Sequence, residues 1–165
     1  MEGFKSDDFI EYAVNKYSGM ITRIAFQYVR NKAEAEDIAQ NVFVSLLKQP
    51  AFTKEEHLKA WLIRVTINKC KDYLRTARRR RNVALNREYA ERAEFNEVFY
   101  ELEKLPDDDR SVLYLYYYEG YPANQIAVLT GIKESAVFMR LARARNKLKR
   151  SHTKPRLQGR NRQAA

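Results

Sequence analysis

The chain is 165 residues long, 45% hydrophobic and 32% charged, with a formal net charge of +10. That length suits one ordinary domain or two small helical ones, and the charge points to a polyanionic partner, nucleic acid first and an anionic membrane surface second. No apolar run could span a bilayer, the start MEGFKSDDF is too acidic for a signal peptide, and the lone Cys70 supports neither an internal disulfide nor a thiol zinc site, so a reducing cytoplasm is the expected setting.

Apolar residues recur at helical spacing along most of the chain, and Gly and Pro are scarce, which predicts an all-α fold. Ser6 and Asp7 offer N-caps for a helix carrying Phe9, Ile10 and Ala13, continuing or kinking near Gly19 and reaching about Arg30. A second helix is predicted from about Ala33 to Lys48, stopped at Pro50. Its core face is Ala35, Ile38, Ala39, Val42 and Leu46. A second stripe, Asp37, Gln40, Val44 and Leu47, could dock a partner helix or meet a third helix of the same domain.

Gln49 to Glu55 reads as a loop, followed by a long helix from about Glu56 to Arg79. On its wheel Ile63, Ile67, Cys70 and Leu74 define the buried side. Trp61, Val65, Asn68 and Asp72 fall opposite, flanked by Arg64 and Arg75. A tryptophan beside Asn and Arg is a candidate platform for an unpaired base, where stacking contributes roughly 1–3 kcal/mol per base. Its plain alternative is a ring that covers its own helix and a neighbour. The arginines at 75 and 78–81 then form a basic cluster, and residues 82–94, polar and without an apolar stripe, read as a linker.

The second half opens with a short helix around Phe95 to Leu105, stopped by Pro106. Asp107, Asp108 and Asp109 are expected to supply caps and favourable charge for a helix through Tyr118, ended by Gly120. Pro122 precedes a helix over about Ala123–Leu129, Gly131 makes a tight turn, and a last helix runs from about Lys133 to Lys149. A short helix, a Gly turn and a longer basic helix form the helix-turn-helix pattern. On the last wheel Val137, Leu141, Ala144 and Leu148 face the core. Ser135, Met139, Ala142, Arg143 and Asn146 face out, with Phe138 and Arg145 on one edge and Arg140 and Lys147 on the other. Arginine can take guanine edges or phosphates, while Met, Ala and Phe can touch thymine methyls. A solvated basic helix ending a small bundle would leave Phe138 and Met139 oddly placed. The tail after Ser151 lacks apolar periodicity and is expected to be disordered.

Three segments resemble one family in order. AEAEDIAQNVFVSLLK (33–48) resembles the core-polymerase-binding segment of sigma factors. HLKAWLIRVTINKCKDYLRTARRRR (57–81) resembles the part of extracytoplasmic-function sigma factors that opens and reads the −10 promoter element. LPDDDRSVLYLYYYEGYPANQIAVLTGIKESAVFMRLARARNKLK (105–149) resembles their −35-binding domain. The resemblance implies region 2 over residues 1–81, a linker over 82–94, region 4 over 95–150 and a basic tail over 151–165. It implies a chain without the acidic N-terminal region and extra middle domain of housekeeping sigma factors.

By the same resemblance Asp37 and Gln40 dock on the polymerase clamp helices, with Asn41 departing from the acidic residue common there; Val44 and Leu47, on the same stripe of the helix, are expected to join the contact. Phe52 lies in the loop that holds a flipped non-template base. Trp61 and Asn68 stand at the edge of the melted −10 element, where Arg64, Asp72 and Arg75 share their face. Arg140, Arg143 and Arg145 match the pattern R-L-x-R-A-R, while Phe138 and Met139 replace small polar or basic residues and should alter −35 preference. Core RNA polymerase, promoter DNA and an anti-sigma factor are the implied partners, with no cofactor. Two rivals stand beside this reading. An autonomous helix-turn-helix regulator would use the same last helix. An enzyme has little material: two histidines, one cysteine, no Gly-rich phosphate loop and no metal-ligand spacing.

Overall fold

The computed structural model describes residues 7–50, 52–80 and 104–151. Among them every regular element is a helix: α1 (Asp7–Val29), α2 (Lys32–Leu47), α3 (Glu55–Arg80), α4 (Asp107–Tyr117), α5 (Ala123–Thr130) and α6 (Glu134–Ser151). The chain divides into two compact units, with α1–α3 in the first and α4–α6 in the second. The expected helix over 95–105 falls outside the described residues up to position 103; Lys104 and Leu105 form a turn before α4. The expected linker, Arg81 and the tail after Ser151 also lie outside them.

In the first unit α1 packs against both α2 and α3, which also touch each other. Serving two neighbours demands apolar surface on more than one side, and residues Ile24 to Val29 are accordingly all buried. Gly19 does not kink α1, which runs unbroken; a Cβ there would meet only the Arg23 guanidinium at 3.2 Å. Instead α1 ends through Arg30, a non-glycine at φ 52°, whose N–H donates to the Phe26 carbonyl. Asn31 then caps α2, its Oδ1 accepting from the Glu34 N–H at 3.1 Å. Leu58, Leu62, Ile63, Ile67 and Cys70 bury one side of α3. Leu74, expected on the same buried side, is only half-buried.

The second unit is built around α6, which packs on both α4 and α5. Val137, Leu141, Ala144 and Leu148, the expected core face, are all buried against Val112, Leu115, Ile126 and Leu129 of that core. Gly131 holds φ 73° at the end of α5, a left-handed position where a Cβ would meet nothing within 4 Å. Backbone conformation rather than space selects glycine there. The three acids at the start of α4 do not cap it. The N-cap position is Pro106, with no side-chain cap bond. Asp107 instead accepts from Arg110 Nη2 at 2.6 Å, and Arg110, fully buried, also donates to the Leu105 carbonyl at 3.0 Å. Each carboxylate has a nearby arginine, and a charge-assisted pair outcompetes a neutral backbone donor.

Candidate nucleic-acid and polymerase interfaces

The outer side of α2 is exposed along its length. Ala35, Ile38, Ala39, Val42, Phe43 and Leu46 are turned into the core, which leaves Asp37, Gln40, Asn41, Val44 and Leu47 facing out. Val44 is 51% and Leu47 47% exposed. The third helix of the unit packs on α2 without covering this stripe, so the intramolecular alternative for it falls away. Two aliphatic side chains one turn apart, beside an acid and two amides, make a small docking strip with polar groups to fix register.

A second surface combines the loop before α3 with the outer face of that helix. Phe52 and Trp61 are both half-buried, their ring centroids 5.7 Å apart at 56°. Trp61 is therefore less outward than its wheel position suggests, because Phe52 folds against it; each ring keeps part of its surface open. Val65 is likewise half-buried, whereas Arg64, Asn68, Asp72 and Arg75 are exposed. Arg75 Nη2 donates to Asp72 Oδ1 at 2.5 Å on open surface, a pair that orients the guanidinium but adds little stability. The side chains of Arg78, Arg79, Arg80 and Arg81 are outside the described residues.

The start of α3, and with it the Phe52 loop, is tied to α1 by a residue that the sequence did not single out. Glu55 Oε1 accepts from Tyr12 Oη and Lys16 Nζ, each at 2.8 Å, and from Tyr17 Oη. These bonds, from Lys16 first and then Tyr17, hold the Glu55 carboxyl down at about 2. The bond to Glu55 raises Lys16 in turn, and burial, reinforced by Glu55, pushes Tyr17 up to about 12. The only signal in the sequence was three donors at 12, 16 and 17, within two turns of one helix; nothing local pointed to an acid some forty positions away.

The third surface is the outer face of α6. Ser135, Ala142, Asn146 and Lys147 are exposed, as are Phe138 (56%) and Met139 (64%). The arginines differ among themselves. Arg140 is turned toward α4, its Nη1 at 3.1 Å from Asp108 Oδ2 and 3.9 Å from Asp109 Oδ1, with its side chain only 23% exposed. Arg143 Nη2 donates to Asp109 Oδ1 at 3.2 Å while the side chain stays 58% exposed. Arg145 Nε donates to Tyr117 Oη at 2.8 Å, and its guanidinium lies 5.7 Å from the ring centroids of both Tyr116 and Tyr117. Sequence periodicity placed these side chains on the right sides of the helix. Their partners on α4 were beyond its reach.

These features define an all-helical protein whose second unit is a helix-turn-helix domain. The family description Sigma-70 region 2 matches residues 13–80, and Sigma-70, region 4 matches residues 96–148. With both regions present in order, the chain belongs to the sigma-70 family, in the extracytoplasmic-function group. It is 34% identical over 150 residues to the Xanthomonas campestris protein named "Probable RNA polymerase sigma factor RfaY", covering 76% of this chain and 36% of that one. It is 25% identical over 150 residues to the ECF RNA polymerase sigma factor SigE of Mycolicibacterium smegmatis, covering 82% and 58% respectively. The chain thus spans well under two thirds of the length of either relative. The fold matches the sigma factor RpoE of Bartonella quintana, solved in complex with the anti-sigma factor NepR, with a TM-score of 0.69 and 22% identity over 88% of this chain and 96% of that one.

Proposed function

We propose that this chain is a sigma factor that binds core RNA polymerase and directs promoter-specific initiation, with no reaction of its own to catalyse. The match of both regions in order carries the reading. In the division of labour that follows, α2 docks on polymerase through Asp37, Gln40, Asn41, Val44 and Leu47. The Phe52 loop and Trp61, with Arg64, Asn68, Asp72 and Arg75, receive unpaired −10 bases. The outer face of α6, from Ser135 through Phe138, Met139, Arg140, Ala142 and Arg143 to Lys147, meets the −35 duplex. Region 2 is assigned to residues 1–81 and region 4 to 95–150, joined by a linker over 82–94.

Physical chemistry supports each assignment. Val44 and Leu47 have apolar surface to bury on a partner. Two adjacent, partly open aromatic rings suit a base that has left its stack, whose extrusion costs a few kcal/mol that stacking can offset. A helix with arginines among exposed Phe and Met side chains suits a major groove, where guanidinium and thymine-methyl contacts alternate. The reading carries an anti-sigma factor as a further partner, by analogy with the NepR-bound relative. It also places the chain in the cytoplasm beside its polymerase; among the described residues no helix is long and apolar enough to cross a membrane.

The test is co-elution of the purified chain with bacterial core RNA polymerase at near-physiological salt. A one-to-one complex that is lost in the Asp37→Ala, Gln40→Ala double variant supports the reading. A folded chain that ignores polymerase yet binds duplex DNA by itself is the autonomous regulator instead.

A further inference from the structure

The contacts of Arg140 and Arg143 separate two residues that the sequence pattern treats alike. Asp109 sits in the first turn of α4 with its side chain 3% exposed, so its carboxylate has a fixed place. One oxygen of it receives Arg143 Nη2. The guanidinium has five N–H donors in a planar fork, and this bond uses one edge while the side chain stays largely open to solvent. Arg140 faces two carboxylates and is largely buried by them. Its Nη1 is turned to Asp108, with Asp109 at 3.9 Å, and less than half as much of its side chain is open as of Arg143.

We propose that Asp109 is a positioning residue for reading duplex DNA: its buried carboxylate orients the Arg143 guanidinium on the outer face of α6, which makes Arg143 the base-reading arginine, while Arg140, at the edge of that face, meets the duplex without reading a base and also ties α6 to α4. The inference rests on the proposal that α6 meets the −35 duplex. An arginine already ordered before binding loses less rotamer freedom on reaching a base edge, so the benefit is realised only on a sequence that offers that edge. The counter-charge acts in the opposite direction on non-specific binding, because phosphate attraction responds to the local positive charge whatever the sequence. Asp109 therefore trades general affinity for discrimination. A residue that merely lowered positive charge would weaken binding to every duplex alike and leave discrimination unchanged.

The experiment compares holoenzymes reconstituted from bacterial core RNA polymerase and the full chain. A duplex is selected by the unaltered holoenzyme from a pool randomised at the −35 segment, and a scrambled duplex of equal composition serves as reference. Asp109→Asn is expected to lower the selected-to-scrambled affinity ratio about five- to tenfold, while scrambled-duplex binding strengthens about two- to threefold at physiological salt. Arg143→Ala should lower the ratio by about 5- to 150-fold, the range for one bidentate base contact. Asp108→Asn makes the same charge change beside Arg140 and should strengthen scrambled binding with the ratio unchanged. Equal ratios for Asp109→Asn and the unaltered chain overturn the proposal, as does an equal fall in Asp108→Asn. Should Asp109→Asn not fold, the Nη resonances of Arg143 in the unaltered chain decide: separate, slowly exchanging signals support the fixed orientation, and one averaged signal refutes it. Failure to form holoenzyme or to select any duplex refutes the functional reading itself, and this inference with it.

Discussion

Truncating Val44 and Leu47 together tests the proposed polymerase-docking face with a magnitude that the structure supplies. Val44→Ala removes two carbons and Leu47→Ala three, each worth about 0.8 kcal/mol when taken fully out of water. The two residues are 51% and 47% exposed in the free chain, so only about half of that burial remains to be gained on docking. The double variant should then lose about 2 kcal/mol of binding, or about thirtyfold in Kd for core polymerase. The half of each side chain already covered in the free chain is lost to folding as well, about 2 kcal/mol less what the better helix propensity of alanine returns. The melting temperature should therefore fall by several degrees, with the chain still folded at the assay temperature. Fluorescence anisotropy of the labelled chain titrated with core enzyme gives the Kd, and a thermal melt followed by circular dichroism gives the control. A Kd within twofold of the unaltered chain, with the variant still folded at the assay temperature, would refute the assignment of this stripe to polymerase.

Neighbouring positions on α3 should separate stability from function. Ile67→Ala, at a fully buried site, should destabilise the first unit by about 3 kcal/mol in a denaturant titration, whereas Asn68→Ala should change stability by less than about 0.5 kcal/mol and reduce promoter opening. Trp61→Ala should leave holoenzyme formation intact and weaken capture of a −10 single strand by about 1–3 kcal/mol, read by 2-aminopurine fluorescence; opening at the normal rate would remove the stacking role. Glu55 has a folded pKa of about 2 against an ordinary 4.5. Its contribution is therefore present above pH 4.5 and is lost as pH falls toward 2. In acid titrations followed by circular dichroism, Glu55→Gln should flatten the loss of stability across that window.

Helix positions and their inner faces were legible in the sequence because burial follows a 3.6-residue period that one chain displays by itself. Ala35, Ile38, Val42 and Leu46 on α2, and Val137, Leu141, Ala144 and Leu148 on α6, needed no other information. The outer faces were legible only as the remainder. Whether Val44 and Leu47 meet a third helix is a question of tertiary packing, and two different bundles can share one periodicity. Asp107–Asp109 show the same limit from the electrostatic side. At the start of a helix acids have a favourable place whatever they touch, so local reasoning made them caps. The fold brings Arg110, Arg140 and Arg143 to them, and the stronger charged pairs prevail. Glu55 was invisible for a related reason: its three donors lie on another helix, and only the packing of α1 on α3 joins them.

The restraints on the α6 arginines bear on how so basic a chain can be selective at all. A net charge of +10 draws a protein to any duplex, through a phosphate attraction that carries no sequence information. Discrimination requires that part of this charge be spent inside the protein. Arg140 is turned toward Asp108 and Asp109, Arg143 is anchored at one edge, and Arg145 is drawn across two tyrosine rings. None of the three guanidiniums is left to seek phosphates without restraint. The large apolar side chains open on that face are Phe138 and Met139, which gain nothing from a phosphate and something from a thymine methyl. Selectivity on this surface would thus arise from withholding charge and exposing apolar groups. On that logic Met139→Lys should raise affinity for scrambled and selected duplexes alike, steepen the salt dependence by about one phosphate contact, and narrow the gap between the two duplexes. A variant that gains affinity for both duplexes while keeping the gap would mean that the apolar groups take no part in reading.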